Sequence, residues 1–248
     1  MVLLIVLSLV VLLVAVDKLG RPSSEIHGTA TGTQAGGAAA QPSEAGGPSV
    51  RPMEPGLRQA QLTAIRRSAG QTYLDSLLLG TDSLIRRWAD RAGRPLQVVM
   101  QPGGSPDYQP RFLALVRDAA ARWEQQGLGF RFQFQADTAG ADIVVRWQTS
   151  FAPKDRAGQT DLVWDQYGRV RNAVITLAIR GPADQRLSED ALLAVAVHEL
   201  GHAVGLPHSA DSADVMYPST RTADISRRDR ATAMLLYQLT PGSLRGDP

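Results

Sequence analysis

Three of the four histidines in this 248-residue chain fall within a single stretch, His198-Glu199-Leu200-Gly201-His202-Ala203-Val204-Gly205-Leu206-Pro207-His208. On a helix, positions four apart lie one turn apart on one face, so the imidazoles of His198 and His202 can reach a single ion. Two ligands hold an ion loosely. Gly205 permits the backbone reversal that ends the helix, and Pro207 helps fix the path that brings His208 back as a third ligand. Three neutral nitrogen donors suit Zn2+ and leave its fourth tetrahedral position to water, the pattern of a catalytic site. Glu199 is set about 100° around the helix from His198, which directs its carboxylate toward that water rather than the metal. The fourth histidine, His27, lies in a polar stretch and reads as solvated.

Composition removes other chemistries. The chain has no cysteine, which excludes disulfide frameworks, Cys-ligated zinc, iron–sulfur clusters and thiol catalysis. Lys and Arg number 26 against 24 Asp and Glu, a balance that argues against a nucleic-acid partner, whose electrostatic footprint is a basic surplus. Oligomeric state is not legible.

The motif needs a scaffold. Ser188 can cap a helix whose first turn carries Glu189 and Asp190, both favourable at the positive end of the dipole. Ala191 to Val197 is apolar nearly all round, so this helix is expected to be buried. Imidazoles and a carboxylate at the end of such a helix would be costly without a partner. Strands are expected at Leu96–Met100, Phe130–Gln135, Asp142–Trp147 and Ala173–Ile179, and a helix from Pro110 to Gly127. A last helix follows Ser226, with Asp229 three residues on as its capping-box partner.

Upstream, Val2 to Val16 is apolar except for Ser8. Residues 1–19 read as an uncleaved membrane anchor or a signal peptide. Lys18 and Arg21 would favour a cytoplasmic C-terminal side, but the chemistry favours an extracytoplasmic protein, anchored or secreted. Residues 20–56, rich in Gly, Ala, Pro, Ser and Thr, read as a flexible linker. Apolar spacing predicts helix from Leu57 to Asp90 with a break near Gly80, so residues 57–92 form a helical spacer, a pro-segment or helices packed on the following domain. Residues 93–248 are long enough for one domain with a sizeable core.

The histidine motif, followed by Ser209 and then Asp214-Val215-Met216-Tyr217-Pro218, resembles the metzincin clan of zinc peptidases and within it the matrixin family. The departures below fit a bacterial rather than an animal type. The resemblance extends more weakly to Gly140-Ala141-Asp142-Ile143 and to the terminal helix with Asp229. It implies an α+β fold: a small twisted mixed sheet with an active-site helix and a C-terminal helix, preceded by the helical segment. It also implies His198, His202 and His208 as zinc ligands, Glu199 as general base and Met216 as the turn residue beneath the metal. Pro218, Ser219 and Thr220 would line a substrate pocket. The implied activity is endopeptidase cleavage of extracytoplasmic protein or peptide substrates. Substrate is expected to lie along the Ala173–Ile179 strand as an added edge strand. Animal matrixins plug the zinc with a pro-segment cysteine and carry a second zinc on further histidines. Neither device is available here. Asp142 matches a calcium ligand of the family, but the accompanying Asp-rich loop is not recognisable. Two other classes remain open: a membrane-tethered zinc-binding module without activity, and a related hydrolase of non-protein amides.

Overall fold

Alternation of inward and outward side chains builds the centre of the molecule, for which a computed structural model describes residues 50–79, 83–89 and 93–245. The expected anchor or signal peptide, and the linker as far as residue 49, lie outside the described residues. Among the described residues no helix is long and apolar enough to cross a membrane. The elements in chain order are α1 (Pro55–Arg67), α2 (Ser76–Leu79), β1 (Leu84–Ile85), β2 (Leu96–Met100), α3 (Phe112–Glu124), β3 (Phe132–Gln135), β4 (Ile143–Gln148), β5 (Gly158–Trp164), β6 (Val170–Ala178), α4 (Glu189–Ala203), α5 (Arg227–Gln238) and β7 (Gly242–Ser243).

Five strands form one sheet in the order β3-β2-β4-β6-β5. All neighbours are parallel except β5, which runs antiparallel to β6 from Gly158 opposite Leu177 to Trp164 opposite Val170. Helix α4 packs on β5 and β6 and beside α3. The Trp123 indole of α3 donates to the carbonyl of Val197 in α4 at 2.9 Å, which satisfies a buried N–H and fixes the two helices in register. This is the α+β arrangement that the sequence implied: a mixed sheet, a buried helix carrying the motif and a C-terminal helix.

Two expectations are corrected. Helix does not continue from Leu57 to Asp90: α1 stops at Arg67, Gly70 takes φ +83°, α2 is a single turn, and Leu84–Ile85 forms a two-residue strand paired with β7. The reason is tertiary. Ile65, Tyr73, Leu74, Ile85 and Trp88 are all buried in the same core as the sheet and α4, so their spacing follows the surface they cover rather than one helix face. The second correction concerns the sheet edge. The Ala173–Ile179 segment is an interior strand, hydrogen-bonded to β4 on one side and β5 on the other, so it offers no free edge to a substrate. The sheet's two edges are β3 and β5, and the edge beside α4 is β5, which the sequence reading left unassigned. Its inward residues begin with Gly158 and Thr160, small or polar types that carry little hydrophobic alternation.

Candidate metal centre

Ser188 caps α4, its hydroxyl accepting from the amide of Ala191. The far end closes in a Schellman arrangement: Gly205 N–H donates to His202 O at 2.8 Å and Leu206 N–H to Gly201 O at 3.0 Å, with Gly205 at φ +103°. That left-handed residue is the one most side chains resist. A Cβ there would also meet the Arg86 carbonyl oxygen at 2.3 Å. The chain then turns back and delivers His208 to the two helical imidazoles.

The side-chain nitrogens converge. His202 Nε2 lies 3.1 Å from Nε2 of His198 and 3.1 Å from Nε2 of His208, and all three ligand atoms lie within 4.8 Å of one another. Tautomers follow from the partners on the other ring nitrogen. His198 Nδ1 donates to the Val215 carbonyl at 2.7 Å and His202 Nδ1 to the Leu206 carbonyl at 2.8 Å, because a carbonyl can only accept. Their Nε2 atoms therefore present lone pairs. Burial holds the imidazoles neutral, pushing His198 down to about 4, His208 to about 3 and His202 well below its ordinary value. Lone pairs facing one another in a buried site repel unless a cation lies between them. Zinc–nitrogen bonds of about 2.0–2.1 Å at a tetrahedral angle would separate the nitrogens by about 3.3 Å, close to the observed spacing. The donor set fits Zn2+. Among the described residues this is the one group of three or more His, Asp or Glu side chains so gathered.

Glu199 is wholly buried, and that burial pushes its carboxyl up to about 8, Asp161 adding to the rise while the Thr160 hydroxyl and Arg156 oppose it. Thr160 Oγ1 lies 2.7 Å from Glu199 Oε2 and donates to it. The other oxygen, Oε1, is buried without a hydrogen-bond partner, the kind of atom that in a native site calls for a functional explanation. It abuts Gly158, where a Cβ would come within 2.3 Å of it. Sequence reasoning missed both Thr160 and Gly158. The signal available for them was the period-two run Thr160, Leu162, Trp164, which is too short and too polar to stand out.

Beneath the histidines, Met216 is fully buried. Gly201 makes room for it, since a Cβ there would meet Met216 Sδ at 2.3 Å and Trp123 at 2.9 Å. The turn is held by α5: Asp229 accepts from Val215 N at 2.8 Å and Met216 N at 3.4 Å, and it closes the expected capping box with Ser226. Asp214 accepts from Ser226 Oγ at 2.6 Å and from Arg228 Nε at 2.8 Å, and Ser209 N–H donates to Met216 O at 2.9 Å. Pro218, Ser219 and Thr220 line a cavity of about 490 Å3 together with His198, Glu199, Gly158 and Val195. A larger cavity of about 670 Å3, lined by Arg94, Glu124, Phe130 and Arg131 among others, contains no histidine and lies away from this chemistry. Asp142 is placed elsewhere, between β2 and β4, where its Oδ2 accepts from Gln97 N at 2.9 Å.

Comparison with known proteins agrees with this geometry. The sequence profile of the family described as Matrixin matches residues 107–238, more than half of the chain. Matrilysin of Felis catus is 43% identical over 53 residues, 21% of this chain and 17% of that protein. Metalloendoproteinase 1 of Glycine max is 34% identical over 98 residues, 37% of this chain and 28% of that protein. The chain thus spans less than a third of the length of either relative.

Proposed function

The chain belongs to the matrixin family, and on that premise we propose that it is a zinc-dependent endopeptidase acting on extracytoplasmic proteins or peptides, with the apolar N-terminal run as anchor or signal. The observation that supports this reading most directly is the pairing of three converging imidazole nitrogens with a buried carboxylate that keeps one oxygen free. His198, His202 and His208 would hold the metal. When bound, Zn2+ supplies Lewis acidity and brings the pKa of its water toward about 7.

The protein's own residues do the rest. Thr160 occupies Oε2 of Glu199 and so reserves Oε1 for proton transfer. At Oε1, Glu199 accepts the proton of the attacking water and later passes it to the departing amine nitrogen, one carboxyl acting as base and then as acid. Its raised affinity for protons suits both halves of that cycle. An extended peptide adds to the free edge of β5, with main-chain hydrogen bonds giving a grip tolerant of sequence. Its side chain beyond the cleaved bond enters the cavity at Pro218, Ser219 and Thr220. Met216 supports the centre from below without binding metal.

The test is a peptide library incubated with the purified chain, with and without chelator. Cleavage lost to the chelator and restored by zinc is expected, and Glu199→Ala should retain zinc while losing nearly all turnover, a loss of at least about 100-fold. Proteolysis retained in Glu199→Ala refutes the assignment of Glu199. Zinc binding with no peptide cleaved would instead indicate a binding module or a hydrolase of other amides.

A further inference from the structure

The segment ahead of the matched domain reaches the metal centre from behind. Tyr73 is almost wholly buried, and its backbone amide donates to Thr232 Oγ1 at 3.2 Å. Its phenol donates to Asp229 Oδ1 at 2.8 Å. Asp229 is fully buried and takes all four of its hydrogen bonds from neutral donors: the amides of Ser226, Val215 and Met216 and the Tyr73 hydroxyl. Tyr73 is the one side chain among them. Burial and the neighbouring carboxylates push the phenol well above its ordinary value, so it stays a donor. The chain of contacts continues without a gap. Asp229 holds the Val215 and Met216 amides, and the Val215 carbonyl accepts from His198 Nδ1 at 2.7 Å.

We propose that Tyr73 is a positioning residue for the metal centre, acting through Asp229 and the Val215–Met216 turn on the imidazole of His198. The described residues 50–79 and 83–89 therefore brace the centre, and none of them lines the cavity beside Glu199. The same segment supports the end of α4, where the Trp88 indole donates to Ala203 O at 2.8 Å. Partners beyond the ligand shell orient ligands and raise their basicity, and their loss typically weakens metal binding by about 10–100-fold. Tyr73 stands two contacts beyond the Val215 carbonyl that His198 touches, so a smaller loss of about threefold to tenfold is expected.

The test uses the full chain with Tyr73→Phe, which removes only the hydroxyl. Zinc affinity is measured by competition with a chromophoric chelator, and the visible absorption of the cobalt-substituted protein reports the geometry of the centre. Weaker zinc binding, an altered cobalt spectrum and a lower kcat with KM unchanged are expected. Thr72→Val, which loses a hydrogen bond in the same segment without touching Asp229, should lower the melting temperature and leave all three unchanged. In an Asp229→Ala background, where no side-chain acceptor remains for the phenol, Tyr73→Phe should add nothing further. Unchanged zinc affinity and cobalt spectrum in Tyr73→Phe, or effects that simply add in the double variant, would overturn the proposal. It rests on the metallopeptidase reading only for kcat. A chain that binds zinc and cleaves nothing would fail that reading and still decide this one.

Discussion

Replacing Gly158 by alanine tests the Glu199 geometry with a single methyl group. The added Cβ would lie 2.3 Å from Oε1, 2.7 Å from Cγ and 2.8 Å from Cδ of Glu199, about 1 Å inside ordinary contact with Oε1. Gly158 has no left-handed φ, so alanine suffers no backbone strain and the effect is steric. The strand cannot yield easily. Gly158, Gln159 and Thr160 are registered opposite Leu177, Thr176 and Ile175 of β6, and Ala178 N–H donates to Ala157 O at 2.8 Å. The Glu199 side chain must therefore move by about 1 Å, and a misplacement of that size costs about 100-fold in rate. Overpacking adds a stability loss of about 1–3 kcal/mol. With a fluorogenic peptide found in the library assay, Gly158→Ala should show kcat reduced about 100-fold, KM changed by less than about threefold and the same zinc content as the unmodified protein. A folded, zinc-loaded Gly158→Ala protein with kcat within about threefold of the unmodified protein would show that Oε1 does not need this position.

Thr160→Val keeps shape and removes the hydrogen bond to Oε2; since such a bond to a charged group contributes about 1.5–3 kcal/mol, kcat should fall roughly tenfold to 100-fold. Thr160→Ser should restore most of it, and equal activity in the serine and valine variants would remove the positioning role. Acidification should destabilise the chelator-treated protein. Histidines lowered from 6.5 to about 4 in His198 and about 3 in His208 contribute stability that is full above 6.5 and lost as pH falls toward those values, because the unfolded chain then binds more protons. Glu199 acts in the opposite sense. Its carboxyl, raised from 4.5 to about 8, contributes stability present below 4.5 and lost as pH rises through 8. Melting temperatures of the metal-free protein and of Glu199→Gln across this range check both signs, and a metal-free protein whose alkaline loss is unaltered in Glu199→Gln would contradict the second.

Local chemistry was legible because it is written in adjacent positions. His198, Glu199 and His202 occupy one helix by their spacing, Gly205 ends that helix, and Ser188, Ser226 and Asp229 mark helix starts through bonds made within three residues. The strands at Leu96–Met100 and Asp142–Trp147 were legible from runs of β-branched residues. What the sequence could not reveal depends on residues far apart. Ile65 through Trp88 read as helix because their spacing satisfied a helix face, whereas the surface they meet is the core beneath α4 and α5. Strand β5 escaped notice because the first two of its inward positions serve Glu199, Gly158 leaving space and Thr160 donating a hydrogen bond, so that only Leu162 and Trp164 join the hydrophobic core. Thr160 and Glu199 stand 39 positions apart, and Tyr73 and Asp229 stand 156 apart. The sequence by itself determined which atoms could bind a metal and accept a proton. The tertiary structure decided which edge is free, which carboxylate oxygen is left unpaired and what holds His198 in place, because only packing brings separated segments within the range at which hydrogen bonds and steric contacts act.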